Sequence, residues 1–484
     1  MHHETNTYDR LARMMTQPVK KLILQLSAPT IIGMLVTAIY NMADTYFVSQ
    51  ISTSASGAVG IVFSLMALIQ AIGFTLGMGA GNFISRLLGQ EDAGQADVVS
   101  STAFYTALAV GALMTVFGLI FLEPLVRVLG ATETIMPHAK AYAQWILIGA
   151  PFMTASFVLN NVLRAQGKAF ASMVGISIGG VLNVILDPIF IFAFGLGTAG
   201  AAIATIISQF IGFLILVGAM RRKDSAVGIR IANFTFRWKI HREILNTGMP
   251  SFYRQGLASL ATVCMNLAAA PFGDAAIAAM SIVQRVFMFV NYTLVGFGQG
   301  FQPVAGFNYG AKRYDRVLEA FWFCVKVSVI VLTAVTVVFL IVSPQVIALF
   351  RRDDQTVIGI GTLALRLQAL LFPLQGWVVM SNMLFQSTGK GMNASLIALG
   401  RQGLFFIPVV LILPRLFGVF GIQIAQPFAD VLTFILAFVL AFRYLSVIRA
   451  QRDEQLAKEG GENESGLQDE QMAAGEFLEH SFEE

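Results

Sequence analysis

About twelve runs of roughly 20 mostly apolar residues limit this chain more than any other feature, because a helix of that length crosses a bilayer. They fall at 22–47, 57–85, 99–121, 139–163, 171–194 and 198–220, then at 244–271, 276–306, 317–342, 356–386, 394–413 and 419–445. Inside lipid the backbone must bond to itself, so each run is expected to be a helix. The balance of the 484 residues agrees: 56% are hydrophobic and 12% charged, with a mean hydropathy of +0.71. That composition excludes a soluble globular enzyme, a disordered protein and a disulfide-stapled secreted domain. It also argues against nucleic-acid binding, despite a pI near 9.0.

The connections between runs divide by charge. One set carries Lys20, Lys21, Arg164, Lys168, Arg221, Arg222, Lys223, Lys312, Arg313, Arg316, Lys390, Arg443 and Arg449. The other carries Glu123, Arg127, Glu133, Asp274, Arg351, Arg352, Asp353 and Asp354. The richer basic set predicts that both termini are cytoplasmic, and an even number of spans agrees by putting them on one side. Residues 1–21 read as a cytoplasmic segment and 221–243 as a cytoplasmic linker. From Ser446 to Glu484 eleven acidic residues face only Arg449, Arg452 and Lys458, so 446–484 reads as a solvated, disordered acidic tail. The polar residues before the first run argue for a retained span there and against a cleaved signal.

A self-match at an offset of about 221 residues organises the runs. Pro29 matches Pro250, and Ala58, Ile61 and Val62 match Ala279, Ile282 and Val283. Gly77, Gly79 and Gly89 match Gly298, Gly300 and Gly310; Pro151 and Pro373 match at 222. Gly197, Gly200, Ile203 and Ala204 match Gly418, Gly421, Ile424 and Ala425. Single glycine matches are cheap in this composition, but a nearly constant offset from residue 29 to 425 is not. The expected fold is therefore an all-α membrane protein of 12 transmembrane helices. They form two six-helix bundles, 22–220 and 244–445, as a parallel internal repeat. A central cavity between such bundles, opening to either side in turn, is a transporter architecture.

An acid inside a membrane span costs a few kcal/mol, so it marks a cavity or a partner. Most acids fall in loops, at span ends or in the tail; Asp44, Asp187 and Asp430 fall inside the spans, and their repeat-mates are Met265, Pro408 and Gln209. Duplication of a scaffold does not explain two acids in one half only. Thr37, Tyr40 and Asp44 share one face of the first span, at i, i+3 and i+7, and Asn183 and Asp187 share a face of the fifth. Converging hydroxyls, amides and carboxylates suit a proton or a small hard cation such as Na⁺. Two such carboxyls titrate as one unit and can share a proton. The plainer alternatives are that Asp44 caps its helix at the water interface, and that Asp187 satisfies backbone freed by Pro188. Asp430 has Gln423 and Gln426 on its own face but no second acid in its half.

The C-terminal half instead places Arg254, Gln255, Arg285, Arg366, Arg401 and Gln402 inside spans. Some of these are expected to pair with one another or with Asp430, and those near span ends to snorkel. Arg254 and Gln255, just after Pro250, are the candidates for lining a substrate cavity. Cys264 and Cys324 lie in apolar runs without ligand spacing and read as packing residues. There is no P-loop or HExxH motif and no paired nucleophile and base, so no enzyme is indicated.

The segments Tyr40-Asn41-Met42-Ala43-Asp44-Thr45-Tyr46-Phe47-Val48 and Asn183-Val184-Ile185-Leu186-Asp187-Pro188-Ile189-Phe190 resemble the MATE (multidrug and toxic compound extrusion) transporters. So do Gly197-Thr198-Ala199-Gly200-Ala201-Ala202-Ile203-Ala204-Thr205 and the twin loops at Gly89 and Gly310. The likeness covers roughly residues 15–450 and is nearest the DinF-type branch. Pro250-Ser251-Phe252-Tyr253-Arg254-Gln255 is similar to its MepA-like members. The resemblance implies a multi-pass protein of a prokaryotic inner membrane, exporting amphipathic or cationic drugs in exchange for H⁺ or Na⁺ without a cofactor. It implies a cation-coupling site at Asp44, Asn183, Asp187 and Thr205, with possible Na⁺ there, and puts Tyr40 and Asn160 in the same chamber. No counterpart of the NorM-branch carboxylates stands in spans seven and ten. The partners implied are small drugs and membrane lipid, with no nucleic acid, and a monomer suffices. A lipid or lipid-linked oligosaccharide flippase is the near alternative, with arginines taking a phosphate. An ion channel is the distant alternative, and nothing here resembles a selectivity filter.

Overall fold

The computed structural model describes residues 11–480 apart from 223 and 353, with the side chains of residues 53 and 458–480 left undescribed. Lys223 and Asp353, counted above among the loop charges, lie outside the described residues, as do 1–10 of the N-terminal segment.

The described secondary structure is helical. The first half comprises α1 (Val19–Ser49), α2 (Thr53–Gly89), α3 (Ala93–Ile120), α4 (Met136–Ala165), α5 (Ala169–Ala193) and α6 (Gly197–Met220). The second comprises α7 (Trp238–Ala269), α8 (Asp274–Gly310), α9 (Tyr314–Phe350), α10 (Gln355–Ala369), α11 (Phe372–Ser387), α12 (Gly391–Phe417) and α13 (Val419–His480). Ten of these are long and apolar enough to cross a membrane, and α10 with α11 make an eleventh span bent by 52°. The bend falls just before Pro373, at the start of α11. Pro151, its repeat-mate, leaves α4 unbroken because it lies in the middle of a helix held on both sides by α2 and α6.

The expected twelfth span is α7. It forms a helix as its apolar run predicts, but it is not among the helices apolar enough to cross a membrane. The reason is its load of Lys239, His241, Arg242, Glu243, Arg254 and Gln255. The tail also differs from expectation: instead of stopping near 445, α13 continues as helix to His480.

Three apolar cores account for the shape. One joins α5, α6 and the far ends of α1, α2 and α4, around Val59, Met66, Tyr142 and Ala202, all in the first half. A second joins Met265, Val283, Leu365 and Ala425, all in the second half. The largest runs across both halves, from Leu26 and Ile84 to Phe301 and Phe385. The two lobes thus share a core at one end and have separate cores at the other. The shared end, here called the base, carries the basic loops.

Small residues let backbones touch at the base. A Cβ on Gly79 would stand 2.0 Å from the Ile244 carbonyl oxygen, and one on Gly248 2.0 Å from that of Thr75. On the other side of the base, α1 meets α8: Ser27 donates to the Phe297 carbonyl (2.9 Å) and Thr30 to that of Gly296 (2.6 Å). Arg86 of α2 pairs with Glu243 of α7 at 2.5 Å and donates to the Ser387 carbonyl at 3.1 Å. The linker is strapped to the first lobe, where Gln166 accepts from the Ala226 amide (2.9 Å) and Asp97 from that of Gly228 (2.6 Å). The N-terminal segment is tied to the second lobe, since Arg316 donates to the Gln17 carbonyl (2.7 Å).

Candidate functional site

The acids of the first half meet in the arm of that lobe. Asp187 precedes Pro188, which has no N–H to donate, and the helix widens into a π-helical turn over Ile189–Ala193. Gly195, at φ +68°, then turns the chain back into α6. A Cβ on Gly200 would lie 2.5 Å from the Phe190 carbonyl oxygen, so α5 and α6 close up only over glycine. This tight hairpin brings Thr205 beside Asn183.

The Asn183 amide donates to Asp187 Oδ1 (3.0 Å) and to Thr205 Oγ1 (3.2 Å), while Thr205 donates to the Ala201 carbonyl (3.0 Å). Asp44 of α1 receives the Tyr142 hydroxyl of α4 on Oδ2 at 3.2 Å. Asp44 and Asp187 lie within electrostatic reach of each other, and both act on Tyr142. All five side chains are buried, Asp187 completely. Asp44 Oδ1, Asp187 Oδ2 and Asn183 Oδ1 are left without a hydrogen-bond partner. Buried polar atoms are normally paired. Here the unpaired ones are all acceptors, on oxygen, around two carboxylates, and among the described residues no lysine or arginine pairs with either acid. Oxygen acceptors so arranged have the chemistry that suits a proton or an oxygen-loving cation. Burial of Asp44, with Tyr142 on its carboxylate, replaces the alternative in which it caps a helix in water.

The other candidates fall in different places. Tyr40 is buried on the face of Asp44 and reaches Gln209 of α6. Thr37 donates to the Gly33 carbonyl of its own helix (2.9 Å). Asn160 is buried but donates to the Ser172 hydroxyl at 2.5 Å, tying α4 to the start of α5. Ser172 is three helical turns before Asn183, so Asn160 stands apart from the acids. Arg254, half-buried, points across to Met78 Sδ of the first lobe (3.9 Å), near Tyr292; Gln255 beside it is half-buried. Asp430 is matched: Arg401 Nε lies 3.2 Å away and Gln426 donates at 2.9 Å. The second lobe's acid is thus held in an ion pair, unlike those of the first.

Tyr142 is the residue that sequence reasoning missed. A signal existed, since its repeat-mate is Leu363 and the asymmetry is the one that marks the acids.

A duplicated helical membrane protein, with unmatched acids buried in one lobe, is a transporter and not an enzyme. The chain belongs to the MatE family, whose model matches residues 29–189 and 250–412. It is 29% identical to the multidrug export protein MepA of Staphylococcus aureus (strain NCTC 8325 / PS 47) over 428 residues, 88% of this chain and 94% of that one. The MepA of Staphylococcus haemolyticus (strain JCSC1435) is 29% identical over 87% of this chain and 93% of its own. Among solved structures, a MATE transporter in complex with MaL6 superposes with a TM-score of 0.86 at 28% identity, covering 90% of this chain and 99% of that one. A multidrug resistance MATE transporter of the MOP superfamily, described as outward-facing, superposes at 0.84 with 28% identity, covering 90% and 98%.

Proposed function

We propose that this protein exports small amphipathic or cationic drugs in exchange for inward-moving H⁺ or Na⁺. The coupling ion binds at Asp44, Asn183, Asp187 and Thr205, with Tyr142 orienting Asp44. The observation that carries this is the trio of unpaired, buried acceptor oxygens around two carboxylates. Both termini are cytoplasmic, so the base is the cytoplasmic end and the arms open outward. The chain works in the cell membrane as a monomer, since both lobes of the pathway belong to one chain. Thr37, Tyr40, Arg254 and Gln255 line the path between the arms.

Ion entry neutralises the two carboxylates and removes their mutual repulsion, which biases the first lobe toward one arrangement and displaces substrate. About 2.3 kcal/mol is available per charge for each 100 mV of membrane potential. Conversion of Asp44 to asparagine is expected to abolish dye extrusion from cells while leaving the amount of protein in the membrane unchanged. Wild-type extrusion by Asp44→Asn would end the proposal. The flippase alternative needs several free arginines; Arg401 is already matched to Asp430.

A further inference from the structure

The base contains a polar cavity, apart from the coupling site, that holds a buried cation instead of acids. It lies between the lobes, with a volume of about 10 Å³ and a wall that includes Asn82, Asn161, Arg164, Gln299 and Gln302. That is room for one sphere of roughly water size. Arg164, in the last turn of α4, is only 6% exposed. Its guanidinium donates to the amide oxygens of Asn161, on its own helix, and of Gln299, on α8 of the other lobe. Both acceptors are neutral, and among the described residues no carboxylate acts on this arginine.

A whole positive charge is therefore held inside without a counter-charge, and arginine does not escape by losing its proton. The groups left over around it include three buried donors. Asn82 Nδ2, Gln299 Nε2 and Gln302 Nε2 have no hydrogen-bond partner, on residues 4%, 2% and 5% exposed. The Gln299 amide is oriented by Arg164, which holds its oxygen and leaves the NH₂ end free. The repeat-mates of Asn82, Arg164, Gln299 and Gln302 are Pro303, Gln386, Met78 and Gly81, so the cluster is not a by-product of duplication.

A cavity with three free donors beside an unmatched buried cation suits a small anion. We propose that one halide ion, chloride, binds between Arg164, Asn82, Gln299 and Gln302. The cavity is too small for a carboxylate or phosphate group carried on an organic molecule. Two of the four residues belong to each lobe, so the ion clamps the base. Chloride therefore favours the arrangement with the base closed, and opening of the base releases it.

The full-length purified protein is titrated with sodium chloride against sodium gluconate at constant ionic strength. The expected result is a saturable rise in Tm of a few degrees, unaffected by exchanging Na⁺ for choline at fixed chloride. Gln302→Leu and Arg164→Gln are expected to lose the rise. Crystals of the unaltered protein soaked in sodium bromide should show an anomalous peak in this cavity, a reading that needs no variant to fold. A Tm indifferent to chloride, a rise that persists in Gln302→Leu, or a cavity that holds water alone in bromide would each overturn the proposal.

Discussion

Asp44 and Asp187 were legible because charge is rare in these spans and because their repeat-mates are Met265 and Pro408. Tyr142 was not, since a tyrosine is unremarkable among aromatic residues until its hydroxyl is seen on a carboxylate. Asn160 shows the reverse: the family resemblance implied the chamber, yet its amide is spent on Ser172. Helical spacing reports which residues share a face, but not which neighbour that face meets. Among the described residues, the Tyr142 hydroxyl is the one group that hydrogen-bonds to Asp44. A hydrogen bond to a charged group contributes about 1.5–3 kcal/mol. Replacing Tyr142 with phenylalanine keeps an aromatic ring in the same apolar core and removes that bond. Drug efflux at a fixed gradient is expected to fall by about tenfold, with unchanged expression, in a vesicle transport assay.

At the scale of elements, the matched glycines of the repeat do the same work in both halves. Gly79 and Gly300 are repeat-mates, and each sits at a crossing between the lobes, against Ile244 and Ser27 respectively. The pattern of small residues was visible in the sequence; the partner helices were not, because contacts between α1 and α8 join residues some 270 apart. Overpacking costs typically 1–3 kcal/mol. A side chain on Gly79 meets backbone, which has nowhere to turn, so Gly79→Val should lower Tm by a few degrees and abolish efflux. Gly60 has open space where its Cβ would be, so Gly60→Ala serves as the control and should leave both unchanged. The polar helix α7 belongs to the same argument. Its charges hide it from a hydropathy criterion, yet Glu243 is the partner of Arg86 at the closed base.

For the whole molecule, the two-lobe duplication followed from one offset, whereas the state of the lobes did not. Only the cores reveal it, one shared at the base and one private to each arm. Chemical asymmetry is laid over this symmetric frame. Among the described residues, the first lobe buries two acids with no lysine or arginine paired to them, the second pairs its acid with Arg401 while Asp430 Oδ2 stays without a hydrogen bond, and the base buries unmatched donors between them. Coupling should therefore reside in the first lobe alone, and Asp430→Asn, with Arg401→Gln to keep the pair neutral, should leave the ion dependence of transport intact. The most direct measurement is drug-induced ion flux in proteoliposomes, with pH and Na⁺ gradients imposed separately. One of the two gradients should drive drug movement in the unaltered protein, and that response should vanish in Asp44→Asn and in Asp187→Asn. Gradient-driven transport that survives in both variants would contradict a coupling site at these two acids.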